Sequence, residues 1–356
     1  MIRRGLMMIK PSPSIEYLQH PNIYVQRQVI IGKRLVILAE SDSGELYNPT
    51  LIYDKDMARE FFGSGALIQA YEDACTYQEG INIFLMRIEP LGFETAFSVL
   101  QALAFDLLLL NDVSFNKDAE IVKKFMAFAK DKEEQGNLVH GIITLSSLGA
   151  YDSLIPLFPL IKDLTEEIGD DAIELGKYLS VVVNQMEFKN ASAVYAGLLA
   201  SVDPEISPIN KTIPDVTLNL EFSKEEILKL REVGIVCFKQ TFKKGVTCTS
   251  SSCAVSTSGS VHKHISNFRI AQFLINQISI ELQPFIGMPS ATHQAIRVED
   301  IVSAICYEQI SLQRIRDFDY YVSVDELNGY IIVEIDMVPI FSVHSMTTHS
   351  RVRIFK

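Results

Sequence analysis

Tryptophan is missing, and basic charge is scarce: 32 Lys and Arg stand against 44 Asp and Glu, a formal net charge of -12. Phosphate binding needs clustered Lys and Arg, so that balance argues against nucleic acid as the main partner. No apolar run approaches the roughly 20 residues of a membrane-spanning helix. The block Leu107–Leu110 is far too short and reads as a buried strand. No Gly-x-Ser-x-Gly serine is present, and Gly63-Ser64-Gly65 lacks the lysine and spacing of a phosphate-binding loop, so it reads as a helix break. Cysteines are few and odd in number (75, 237, 248, 253 and 306), and most lie inside apolar patterns. They read as buried thiols made in a reducing compartment. The N-terminal MIRRGLMMIKPSPS is interrupted by Lys10 and Pro11 and has no small-residue cleavage site, so an export signal is not expected.

What is present is a globular balance of 21% charged and 48% hydrophobic residues over 356 positions, enough for two domains or one large one. From Leu35 onward short apolar runs alternate with helical spacing. Leu35–Ala39, Thr50–Tyr53, Ile81–Ile88, Leu107–Leu110, Leu138–Leu145 and Leu179–Val183 read as strands. Between them lie helices capped by Asp54 and stopped by Gly63, then over Ala66–Tyr77, Asp118–Lys132 and most of Leu154–Ile168. Continuous buried strands between amphipathic helices imply a largely parallel sheet covered on both faces. The last third differs. A capping box, Ser223 with Glu226, announces a helix over 224–233, and Ile235–Phe238 and Gly245–Thr249 read as strands. Helices over Ile265–Phe285 and Val298–Arg316 precede a hairpin, Asp317–Asp325 and Tyr330–Met337, turned at Asn328-Gly329.

The stretch from Ala191 to Gly234 holds the crossing between these two parts. A small-residue helix, Ala191–Ser201, should pack closely against a neighbour. Asp203-Pro204 and Ser207-Pro208 then turn or extend the chain before the new unit begins. Here Ala196-Gly197, Asp203, Ser207-Pro208, Asn210-Lys211, Ile213, Val216, Leu230 and Gly234-Ile235 form a pattern that resembles the core of contractile tail sheath proteins. Those proteins build the sheaths of contractile-tailed phages, R-type bacteriocins and related injection machines.

The resemblance implies a fold of the α/β plus α+β kind: a parallel-sheet core described as subtilisin-like without catalysis, a smaller C-terminal α+β domain, and terminal strand arms. The expected divisions are an arm over 1–20, a core over 21–210, a second domain over 211–340 and an arm over 341–356. The resemblance further implies a structural role without cofactor or metal. Subunits would polymerise helically around an inner tail tube and contract to drive it through an envelope. The partners would be further copies, the tube protein, and baseplate and terminator proteins, within a particle assembled in bacterial cytoplasm.

The first arm, with Ile9, Ile15 and Tyr17, has no amphipathic period and is either frayed or laid on a partner. The last, with Val343, Ser345, Thr347, Arg351, Val352, Arg353, Ile354 and Phe355, alternates in part; it is an edge strand at home or a strand lent to another chain. The lysines Lys239, Lys243, Lys244 and Lys263, with Arg269, are either a solvated face or, under the resemblance, a contact to an acidic tube. The family's Trp- and Arg-bearing hairpin near this point is not evident here.

Two chemical readings stand beside this one. His140-Gly141 after a strand, with Asp106 or Asp112, resembles part of a serine-protease triad, but no positioned serine accompanies it. Cys248 and Cys253 with His262 and His264 offer four zinc ligands at a non-standard spacing, or a disulfide, or bystanders. The rival function is therefore an α/β hydrolase or ligand-binding protein with a spare C-terminal strand.

Overall fold

A computed structural model describes residues 31–340 apart from 80, 82, 147–149, 163–164, 169–170, 243, 256–259, 289–291 and 326–329. Side chains are not described at 165–168, 171–174, 292–293, 324–325 and 330. Both terminal arms, Lys243 and the Asn328-Gly329 turn thus lie outside the described residues.

Strand and helix alternate first as β1 (Leu35–Ala39), β2 (Thr50–Ile52), α1 (Lys55–Phe62), α2 (Ala66–Ala74), β3 (Ile83–Arg87), α3 (Phe93–Leu100) and β4 (Leu107–Ser114). Next come α4 (Ala119–Glu134), β5 (His140–Leu145), a pair of 3-10 turns, α5 (Phe158–Lys162), β6 (Thr165–Ile168), β7 (Asp171–Glu174) and β8 (Leu179–Val183). After α6 (Ala191–Ser201) come β9 (Thr212–Ile213), α7 (Lys224–Val233), β10 (Ile235–Val236), β11 (Phe238–Thr241) and β12 (Gly245–Cys248). The chain closes with α8 (Ile265–Leu282), α9 (Thr292–Ser311), β13 (Ile315–Asp325) and β14 (Tyr330–Pro339).

A seven-stranded sheet in the order β10-β8-β5-β4-β1-β3-β2 carries the core. Every neighbouring pair is parallel except β2 on β3. All of β1, β5 and β8 is buried, as continuous apolar runs require when helices cover both faces. Strand β5 shows the two layers directly. A Cβ on Gly141 would meet the Phe125 ring of α4, whereas Thr144 Oγ1 bonds Ser192 Oγ of α6 at 2.9 Å. Side chains an odd number of positions apart point to opposite faces, so α4 and α6 lie on opposite sides of the sheet.

Three sequence expectations differ from this structure. The helix read to Ile168 gives way to the antiparallel pair β6–β7; Gly169-Asp170 is a turn-type dipeptide in sequence that the helical spacing overrode. The last helix ends at Ser311, not Arg316, because Arg316 already belongs to β13. The division at 210/211 is not where packing divides. Strand β10 pairs with β8, and one hydrophobic core continues to Phe268. A second cluster holds Ile270, Leu274 and Ile278 of α8 with Val298, Val302 and Cys306 of α9 and Ile315 of β13. Helix α8 is thus shared: its first turns close the sheet core and the rest builds the C-terminal unit.

Candidate functional surfaces

The Ala-Gly helix α6 is buried along nearly all its length. A Cβ on Gly197 would lie 1.8 Å from the Ala74 carbonyl oxygen, so the backbones of α6 and α2 touch there. This is the close neighbour that the small residues of α6 implied.

The segment after α6 is pinned from both sides. Lys33 Nζ and Asp203 Oδ1 are 2.7 Å apart, and that lysine hydrogen bond holds the Asp203 carboxyl below its ordinary range. The Ile206 N–H donates to the Asp203 carbonyl, and the Ile209 N–H to Ser207 Oγ. The Lys211 N–H donates to the Pro208 carbonyl, and Asn210 sits in the left-handed region at φ 59. The Asn210 N–H donates to the Cys248 carbonyl, tying the turn to β12, and Glu205 meets Arg314 at 2.9 Å before β13. The capping box forms as expected, with both Ser223 and Glu226 bonds present, and Gly234 ends α7 in the left-handed region.

The basic residues do not form one surface. Lys239 and Lys244 are exposed on the β11–β12 hairpin. Lys263 donates to the Glu232 carbonyl at 2.9 Å, and partial burial lowers its pKa. Arg269 is corrected outright: it is fully buried and donates to the carbonyls of Gly32 (3.0 Å) and Val202 (2.9 Å). It ties α8 to the start of β1 and the end of α6, and no partner can reach it. Phe242, at the tip between the exposed lysines, is 99% exposed and was missed. The available signal was a lone aromatic between Thr241 and Lys243-Lys244-Gly245.

The C-terminal hairpin is a two-stranded sheet whose outer edges carry no further strand among the described residues. Its register fixes two faces. Phe318, Tyr320, Val322, Val333, Ile335 and Met337 turn toward the second core and stay only half-buried. The exposed face carries Asp317, Asp319, Glu334 and Asp336 interleaved with Tyr321, Ile332 and Val338, with Asp319 directly opposite Asp336.

The protease-like residues do not assemble. Asp106 is engaged by Arg34 Nε and Nη2, both at 2.8 Å, by the N–H groups of Gly32 and Arg34, and by Asn276. Asp112 lies past a register shift in β4, between the levels of Ile142 and Thr144, at least two residues or about 7 Å along the strand from His140. His140 does bond a serine that sequence reading missed: its Nδ1 donates to the Lys177 carbonyl at 3.2 Å, and its Nε2 accepts from Ser180 Oγ at 2.8 Å. Both residues are completely buried, so no substrate reaches the pair. Burial pushes the His140 pKa down to about 3. The five cysteines form no disulfide. The Cys248 thiol donates to the Ser250 carbonyl at 3.1 Å and is pushed up to about 12 by burial. Among the described residues no three His, Cys, Asp or Glu gather as a metal site. A cavity of about 160 Å³ opens at the carboxyl ends of β1, β3 and β4, beside Glu40, Glu89 and Asp112, where open α/β sheets hold ligands. Among the described residues, no helix is long and apolar enough to cross a membrane.

No protein family model matches the chain, and no curated protein does either. Solved structures do. A chain of the anti-feeding prophage baseplate superposes with a TM-score of 0.71 at 14% identity, covering 94% of this chain and 99% of that one. The contracted sheath of an extracellular contractile injection system, PVC, gives 0.70 at 11% identity over 94% of this chain and 97% of its own. The sheath tail protein from Listeria innocua gives 0.68 at 12% identity over 87% and 92%. Along nearly its whole described length, the chain has the fold of contractile sheath proteins.

Proposed function

We propose that this chain is a structural subunit of a contractile tail sheath. It would polymerise helically around an inner tube and repack into a shorter, wider lattice that drives the tube through an envelope. The observation that carries this reading is the end-to-end likeness: sheath chains match over both the parallel-sheet core and the C-terminal unit, with no large unmatched part on either side. The work would come from new contacts between subunits, so the reading needs no nucleotide or metal.

Within that reading, α8, α9 and the β13–β14 hairpin form the second, α+β domain, and the Asp203–Lys211 turn is a stiff joint between it and the core. The arms over 1–20 and 341–356 lend strands to neighbours. Support comes from the hairpin's outer edges, which carry no further strand among the described residues; an edge of that kind offers N–H and C=O groups to an incoming strand. Each such backbone bond contributes about 1 kcal/mol net, so a handful per arm keeps subunits joined while their bodies rotate. The exposed Lys239 and Lys244, with Lys243 and Phe242, form a contact to an acidic tube. Baseplate and terminator proteins meet the two ends of the lattice, in a tail or equivalent particle assembled in the host cytoplasm.

Electron microscopy of the purified chain tests the central claim. Rings or tubes are expected from the full chain, and a folded, non-polymerising monomer from a chain cut before Val343. A full-length chain that stays monomeric at every concentration defeats the sheath reading. A truncated chain that still polymerises defeats strand exchange.

A further inference from the structure

Helix α8 faces two ways. Ile270, Leu274 and Ile278 belong to the second hydrophobic cluster, with α9 and β13. Arg269, Gln272, Asn276 and Ser279 recur at helical spacing and form a separate stripe along the helix. We infer that this polar stripe is an orientation key: it sets the angle at which the C-terminal unit stands on the sheet core. The Asp203–Lys211 turn braces the same joint from one side, through the Lys33–Asp203 and Glu205–Arg314 pairs. The key belongs to the subunit itself and goes beyond the sheath reading.

Every member of the stripe donates to the end of the core where strands begin. Arg269 reaches the Gly32 carbonyl, ahead of β1. Gln272 Nε2 donates to the carbonyls of Asp106, at 2.6 Å, and Leu138, at 2.9 Å, which lead into β4 and β5. Asn276 Nδ2 donates to Asp106 Oδ1 at 2.8 Å, and Ser279 Oγ to the Gly136 carbonyl at 3.0 Å. Strands β5, β4 and β1 are neighbours in the sheet, so α8 runs across three adjacent strand ends. Asp106 is the hub, because the same carboxylate holds the Arg34 guanidinium and the N–H groups of Gly32 and Arg34.

Arg269, Gln272 and Asn276 are at most 2% exposed, so these bonds are made away from water. Apolar contacts are non-directional and tolerate a small slide of one surface on another. Hydrogen bonds do not, since they weaken steeply with distance and misalignment. Advancing α8 by one residue would move the stripe ~1.5 Å and turn it by about 100°. Buried donors would then stand unpaired, a costly state. Gln272 Oε1 and Asn276 Oδ1 accept no hydrogen bond from another described residue. An apolar pair of similar size could fill the same space without loss of stability, so what the amides contribute is a single orientation. In a lattice of many copies, one fixed angle lets every copy present the same contacts.

Spin labels read that angle. Nitroxides at Lys123→Cys of α4 and Asp300→Cys of α9, both exposed, report the distance between the two units. Cys75→Ser removes the one cysteine that is not buried, and dilution with unlabelled chain restricts the reading to distances within one copy. The full chain with its stripe intact should give one narrow distance distribution. Gln272→Leu with Asn276→Leu should broaden it and speed amide exchange in α9 and β13–β14 about tenfold, with β1, β4 and β5 unchanged. Cutting the turn's braces with Asp203→Ala and Glu205→Ala should leave the distribution narrow. Parent-like distances in the stripe-altered chain overturn the proposal, and so does broadening by the brace-cut chain alone. If the double substitution prevents folding, Gln272→Met, which leaves Asn276 on Asp106, is read by the same outcomes. A chain that never polymerises still reports these distances, so that failure would fall on the sheath reading and not on the key.

Discussion

At Gly197 a single missing Cβ decides how two helices meet. With 1.8 Å to the Ala74 carbonyl, any side chain would force α6 away from α2 and loosen contacts with the sheet beneath. Gly197→Ala should destabilise the subunit by about 1–3 kcal/mol, the range for overpacking a tight core; chemical denaturation reads it, and an unchanged midpoint would show that the contact relaxes freely. His140 carries a pH signature. Its folded pKa of about 3 lies below the ordinary 6.5, because burial disfavours the imidazolium. Between those values the unfolded chain binds a proton the folded chain does not. Stability therefore falls as pH drops from about 6.5 toward 3, by at most about 1.4 kcal/mol per pH unit. Melting temperatures of the parent should drop faster over that window than those of His140→Gln, and parallel curves would refute the assignment. Other residues resisted sequence reading for a physical reason. Arg269 looked like part of a lysine cluster, yet its partners are backbone carbonyls at Gly32 and Val202, far away in the chain. Nothing local to residue 269 announces a carbonyl cage that folding assembles.

Elements were most legible where a single local rule specifies them. β8 and α6 match their expected bounds, one as a short β-branched run and the other as a small-residue helix before prolines. The capping box and the long hairpin were likewise readable, since each is written within a few residues. Helix α3 has its signal in Phe93, Ala96, Phe97 and Leu100, all buried at helical spacing, but no capping side chain marks its start and it was passed over. β6 and β7 were lost to a helical pattern that ran across a Gly-Asp turn. β9 is a two-residue strand made by pairing with β12, so local pattern could not reveal it. The run read as one strand over Ile235–Phe238 is divided between β10 in the large sheet and β11 in the small one, a split that only tertiary pairing makes. The same fact moves the domain boundary: a strand as short as Ile235–Val236 is enough to carry the first sheet past residue 210.

For the whole molecule, the balance of charge frames the last prediction. A chain of net -12 repels its own copies over distances of a Debye length, about 8 Å at physiological salt, unless specific contacts overcome that repulsion. Exposed basic groups are therefore informative in so acidic a chain, and Lys239 and Lys244 stand exposed on the β11–β12 hairpin beside Phe242. An aromatic exposed to 99% contributes nothing to its own fold, and an aromatic flanked by cations is well suited to anchor in a pocket ringed by carboxylates. Substituting Lys239→Glu with Lys244→Glu should leave the melting temperature unchanged, because exposed sites away from the core shift stability by less than about 0.5 kcal/mol. The same chain should fail to decorate tail tubes while still forming tube-free polymer through its arms. Raising the salt should weaken tube decoration by the parent in the same direction, since exposed charges are screened. Phe242→Ser separates charge from burial: it should retain the salt dependence yet bind tubes more weakly. Unchanged decoration by the lysine-reversed chain would move the tube contact away from this hairpin, and loss of tube-free polymer as well would show that the tip serves contacts between sheath subunits instead.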